Sequence, residues 1–126
     1  MHPTSKKEKE ENPLRTKSST FALRIINLYK HLTNQKEYVL SKQVLRSGTS
    51  IGANIVESNR AESRMDFVHK LSIALKEAAE TEYWLCLLRD SQYITEPQTE
   101  SLLAECLELQ KMLTSSIKTA KRNLEK

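Results

Sequence analysis

The two glycines of this chain, Gly48 and Gly52, stand four residues apart inside a segment whose apolar residues recur at helical spacing. Val44, Leu45, Gly48, Ile51, Gly52 and Ile55 follow i, i+1, i+4, i+7, i+8, i+11, the pattern of one packed helical face. Each glycine costs a helix about 1 kcal/mol relative to alanine, so something must offset two of them within Ser47-Gly48-Thr49-Ser50-Ile51-Gly52-Ala53. We read the pair as a close helix crossing, because a residue without a side chain lets a neighbouring backbone approach; the alternative is a kink. With no other glycine and only 3 prolines in 126 residues, the chain cannot supply the frequent turns of an all-β fold.

The remaining apolar residues spell out three more helices. From Ser18, taken as an N-cap, Phe21, Ala22, Ile25, Leu28, Tyr29 and Leu32 define a helix near residues 19–34. The glycine-bearing helix spans about 41–59. Ser63-Arg64-Met65-Asp66 reads as a capping box opening a third helix near 64–91, with Val68, Leu71, Leu75, Ala78, Leu85 and Leu88 as its stripe. Thr95, two residues before Pro97, is the expected N-cap of a fourth helix near 96–122, whose buried side is Leu102, Leu103, Cys106, Leu109, Leu113 and Ile117. Short connections favour antiparallel neighbours, so the expected fold is all-α: one up-down-up-down four-helix bundle over 18–126, preceded by a flexible charged tail over 1–17. A second apolar line on helix 3, Ile73, Trp84 and Leu87, is expected to meet another copy of the chain.

The formal charge is +4, and the excess lies in the first half of the chain. Arg24, Lys30, Lys42, Arg46 and Arg60 are candidates for a face that neutralises phosphates, which makes RNA or DNA the expected partner. No apolar run reaches the ~18 residues of a bilayer span, and the N-terminus is charged, so a cytoplasmic protein without membrane contact is expected. Cys86 and Cys106, inside helical segments, fit reduced thiols acting as small hydrophobes.

Candidate chemistry is sparse. Asp66 and His69 have carboxylate-x-x-His spacing, but a di-iron bundle needs two such motifs and further carboxylates, so no metal or cofactor is expected. Glu77/Glu80 and Glu105/Glu108 each put two carboxylates on one helical face, the pattern with which an all-α pyrophosphohydrolase holds Mg²⁺. With no basic residue apparent beside them, these pairs read more simply as solvated, and no enzyme activity is expected. Glu82 falls at a seam position, where a buried carboxylate requires a cation or several donors; Arg46 is the candidate partner, and a rim position that leaves Glu82 partly wet is the equal alternative.

Leu45-Arg46-Ser47-Gly48-Thr49-Ser50-Ile51-Gly52-Ala53-Asn54-Ile55-Val56-Glu57, followed by Arg60, Phe67 to Leu75 and Glu80-Thr81-Glu82-Tyr83-Trp84-Leu85, resembles the four-helix-bundle family first associated with intervening sequences of bacterial 23S rRNA genes. The resemblance covers roughly residues 18–120. It implies a ring-shaped homopentamer, similar to the accessory protein of diversity-generating retroelements, a basic bundle that contacts a reverse transcriptase and nucleic acid. It carries no catalytic residue. It implies structural roles for Arg46, Ser50, Asn54 and Glu57, with Gly48, Gly52 and Ala53 permitting tight packing, and Glu57-Ser58 replaces a common Glu-Gly at the helix exit. Two rival functions stand beside nucleic-acid binding: a scaffold that docks a nucleic-acid enzyme, and the Mg²⁺-dependent pyrophosphohydrolase.

Overall fold

Four helices run through residues 12–124, the part of the chain that this computed structural model describes: α1 (Pro13–Asn34), α2 (Leu40–Ser58), α3 (Arg64–Asp90) and α4 (Glu96–Leu124). Each packs on its neighbours in sequence and α4 returns to α1, leaving α1 diagonal to α3 and α2 diagonal to α4. The connections over 35–39, 59–63 and 91–95 are short, which enforces the antiparallel order. Phe21, Ile25, Leu32, Ile51, Ile55, Leu71, Leu85, Leu88, Leu109 and Leu113 fill the centre.

The first helix begins earlier than its apolar periodicity predicts. Pro13 sits in its first turn, where a missing N–H costs nothing, and Asn12 Oδ1 accepts from Arg15 N–H at 3.2 Å. Leu14 packs against the core and carries the extra turns. Residues 12–17 are therefore not a tail, and Ser18 is not a cap but a fully buried helical residue; residues 1–11 of the expected tail lie outside the described part.

Helix starts with local motifs follow expectation. Ser63 Oγ accepts from Asp66 N–H at 3.0 Å, although the Asp66 carboxylate reaches back to Glu62 N–H, not to Ser63 N–H. Thr95 and Gln98 form a reciprocal capping box, Gln98 N–H donating to Thr95 Oγ1 and Thr95 N–H to Gln98 Oε1. The start of α2 uses a device the sequence reading missed. Glu37, almost fully buried, turns its carboxylate onto the helix: Oε1 accepts from Ser41 N–H at 2.6 Å, and Oε2 from Leu40 N–H at 3.1 Å and Val39 N–H at 3.3 Å. Orphan donors and the positive end of the helix dipole meet one charge. At the other end of α2, buried Ser58 donates to the Ile55 carbonyl at 2.6 Å and closes the helix without a glycine.

The close crossing is real and sits between α1 and α2. A Cβ built on Gly48 would lie 2.8 Å from Ile25 Cγ1 and from Ile25 Cγ2, and one on Gly52 would lie 3.3 Å from Ser18 Oγ. Ile25 is β-branched and fully buried, so it cannot swing away. Ala53 is exposed and takes no part in the crossing. Gly48→Ala should therefore lower stability by about 1–2 kcal/mol in urea unfolding, overpacking outweighing the gain in helix propensity; Gly52→Ala should cost clearly less. Glu37→Ala should cost about 1–2 kcal/mol in the same assay, through loss of the α2 cap.

Candidate nucleic-acid interface

The five basic residues singled out from sequence do not share a face. Arg24 stands at the seam of α1 and α4, where its guanidinium pairs with Glu105, and Lys17 pairs with Glu108 at 2.9 Å beside it. Arg46 stands on the opposite side of the bundle, at the seam of α2 and α3. Lys30 and Lys42 are exposed, and the register that sets Ile25 on Gly48 brings them level with each other on α1 and α2. Arg60 is exposed in the α2–α3 connection.

Arg46 is the most engaged of the five. One arm of its guanidinium donates to Glu77 Oε2 at 2.9 Å and the other to Glu80 Oε2. Trp84 Nε1–H donates to the same Glu80 oxygen at 2.9 Å. One residue on from Arg46, the Ser47 and Thr81 hydroxyls lie 2.8 Å apart in the buried interface, and Thr81 Oγ1 is also 2.8 Å from the Glu77 carbonyl oxygen. The Trp84 indole and then the Arg46 guanidinium hold the Glu80 carboxyl below the usual carboxylate range, while the two glutamates raise Arg46 further above its ordinary value.

Both Glu-x-x-Glu pairs thus have cations, against the expectation that no basic residue accompanies them. Helical spacing shows that two carboxylates share a face; it does not show which helix packs beside them. Glu82 takes Gln110 Nε2–H at 2.9 Å, not Arg46, which is a turn away on the other shoulder of α3. Asn54 Nδ2–H donates to the Ser50 carbonyl at 2.9 Å, so these two positions brace α2 internally, and Glu57 reaches Lys70 at 3.2 Å. Ile73, Trp84 and Leu87 lie half-buried on the α2-facing shoulder of α3, so the indole has an internal partner as well as an outward face. Asp66 is occupied with the α3 cap and His69 is exposed; among the described residues no three metal-ligating side chains cluster. Cys106 is buried, with Sγ 3.2 Å from the Ala78 carbonyl oxygen, and burial pushes its thiol up to about 11. Among the described residues no helix is long and apolar enough to cross a membrane.

These features define a short-looped antiparallel four-helix bundle with ion pairs across two opposite seams, α1–α4 and α2–α3. The family model of the 23S rRNA-intervening sequence protein matches residues 10–115, and the chain belongs to that family. It is similar, at 60% identity and a TM-score of 0.83, to the crystal structure of a protein of unknown function from the S23 ribosomal protein family of Bacteroides thetaiotaomicron VPI-5482. That match covers 83% of this chain and 98% of the other. No curated protein matches the chain.

Because Glu80 titrates below its ordinary value of 4.5 in the folded protein, it contributes stability that is complete above that pH and lost as pH falls through the lowered value. Glu80→Gln should therefore be less stable than the parent at pH 7, with the difference shrinking towards pH 3, as read from thermal midpoints over that range.

Proposed function

We propose that this protein is a non-enzymatic, cytoplasmic, homo-oligomeric bundle that binds RNA or DNA through contacts to phosphates. The observation that carries the reading is the pattern of ion pairing. Along the seams, acids hold cations: Glu57, Glu77, Glu80, Glu105 and Glu108 each pair with a lysine or arginine. Lys30, Lys42 and Arg60, by contrast, are exposed and take part in no ion pair among the described residues. These three cations are therefore available to an external anion.

The same pairing weighs against the pyrophosphohydrolase. A Mg²⁺ site needs carboxylates aimed at the ion, and these four already neutralise Arg46, Arg24 and Lys17. Self-association is supported by large apolar side chains left in solvent, Leu23 at 64% and Tyr83 at 58% exposure, together with the outer edge of Ile73, Trp84 and Leu87. Repetition of each basic face in an assembly converts a few phosphate contacts per subunit into a multivalent surface.

The test is a titration of the full chain against labelled structured RNA and duplex DNA, with native mass measured by light scattering. Affinity should fall at least about tenfold between 50 and 200 mM salt, and the mass should be a multiple of 14.5 kDa. Absence of binding at 50 mM salt would overturn the nucleic-acid reading, and a mass of one chain would overturn self-association.

A further inference from the structure

Acids and bases are segregated along α4. Glu96, Glu100, Glu105 and Glu108 all lie in its first half, and the second half, from Leu109 to Leu124, holds Lys111, Lys118, Lys121 and Arg122 with no acid. Lys111, Lys118 and Arg122 are seven and four residues apart, which puts all three on one stripe about 16 Å long. All are exposed, and among the described residues none is in an ion pair.

Helix register makes that stripe project. Lys17 against Glu108 and Arg24 against Glu105 set Pro13, the start of α1, level with the middle of the second half of α4. The last two turns of α4 therefore run past α1. Ile117 and Ala120 there are still buried, against α3, so the projecting part is packed and not frayed. The register of Glu82 with Gln110 and of Ala78 with Cys106 brings the start of α3 to the same end. It adds the exposed Arg64, and the preceding connection adds Arg60. The helix dipole accounts for cations at the end of α4 but opposes Arg64 at the first position of α3. Among the described residues the acids near this end are Glu62, Asp66 and Glu57: Asp66 caps α3, and Glu57 pairs with Lys70.

A second observation joins the stripe. A shallow groove of about 520 Å³ runs along α4, lined by Leu107, Gln110, Lys111, Thr114, Ser115 and Lys118. Its free donors are the Lys111 and Lys118 ammonium groups and the Ser115 hydroxyl, since the Gln110 amide donates to Glu82 and the Thr114 hydroxyl to the Gln110 carbonyl, and the rest of its surface, Leu107 included, is largely apolar. Such donors suit the oxygens of a phosphodiester chain, which needs repeated cationic contacts and tolerates neutral donors between them.

We infer that the outer face of the second half of α4, extended by Arg60 and Arg64, is the surface on which a phosphodiester backbone is held. This rests on the nucleic-acid reading and assigns the principal contacts to this face, with the α1–α2 cations secondary. The test compares the full chain, a Lys111→Gln/Lys118→Gln/Arg122→Gln variant and a Lys30→Gln/Lys42→Gln variant. Glutamine keeps helix propensity at these exposed sites, and circular dichroism checks the folds. Each protein is titrated with labelled single-stranded RNA, structured RNA and duplex DNA from 50 to 200 mM salt. The α4 variant should bind at least about tenfold more weakly, with a salt slope shallower by about 2–3, and the α1–α2 variant should lose clearly less, about two- to threefold; an equal or larger loss in the α1–α2 variant would overturn the assignment. The RNA and DNA arms identify the source of the phosphates. Unchanged binding by a folded α4 variant would overturn the assignment while leaving nucleic-acid binding intact; if that variant does not fold, single Lys111→Gln and Arg122→Gln changes, each expected to weaken binding about two- to fivefold, decide it. No binding by the parent overturns both readings. Competition by polyglutamate equal to that by RNA would overturn the phosphodiester assignment in favour of an acidic protein.

Discussion

The contact of Gly48 with Ile25 is the constraint on which the bundle turns. With a Cβ excluded at 2.8 Å, the backbone of α2 lies directly on a core side chain of α1. Ser18 against Gly52 continues the same seam one turn on, where a small polar side chain is tolerated because its hydroxyl donates to the Arg15 carbonyl. The two contacts together fix the register of α1 and α2: a shift of one turn would bring Val44 opposite Ile25 in one direction and, in the other, put Val56 in place of Gly52 against Ser18. On its other flank α2 meets α3 through the buried Ser47–Thr81 hydroxyl pair, which has a carbonyl acceptor within reach and so leaves no donor unsatisfied. The short, glycine-bearing helix is thus held on both sides by contacts that admit one alignment.

Charge finishes what packing begins. Single exposed ion pairs contribute at most about 1 kcal/mol, and several of these are half-exposed. Their larger effect is on alignment: Arg46 can span Glu77 and Glu80 only when Ser47 faces Thr81. On the α1–α4 seam, which is the most sparsely packed of the four, Lys17 and Arg24 meet the two glutamates of the acidic half of α4. The acids of these two seams are spent in this way, and none of them is left for Lys111, Lys118 or Arg122.

Much of this was legible in the sequence because it is local. Apolar periodicity gave four helices and their order, the small residues gave a close crossing, and Ser63 and Thr95 gave two starts, since a cap motif lies within four residues of the atoms it satisfies. Asn12 and Glu37 were not legible, for different reasons. Residues 12–17 look like tail by composition, and their helix depends on Leu14 reaching a core built by other segments. Glu37 caps α2 from outside the usual cap position, and nothing in its spacing distinguishes it from a solvated acid. The partners of Arg46 and Arg24 were missed because helical spacing assigns a residue to a face but not to a neighbour. Glu82 and Glu80 differ by 200° around α3, and only the packing of α2 on one shoulder decides which of them an arginine can reach.

Helix length and charge explain each other at the end of the bundle. α4 has 29 residues and α1 has 22, so some part of α4 must run without α1 beside it. A helix that packs on one neighbour only buries a narrow stripe, here Ile117 and Ala120, and must present well-solvated side chains around the rest of its surface. Acids there would oppose the negative end of the helix dipole; lysine and arginine complement it. The projecting turns are therefore basic for reasons of helix stability alone. What stability does not require is that Lys111, Lys118 and Arg122 fall on one line, or that Arg64 adds a cation at the start of α3 against its dipole. Those two features are what the proposed phosphodiester contact would account for and helix stability does not.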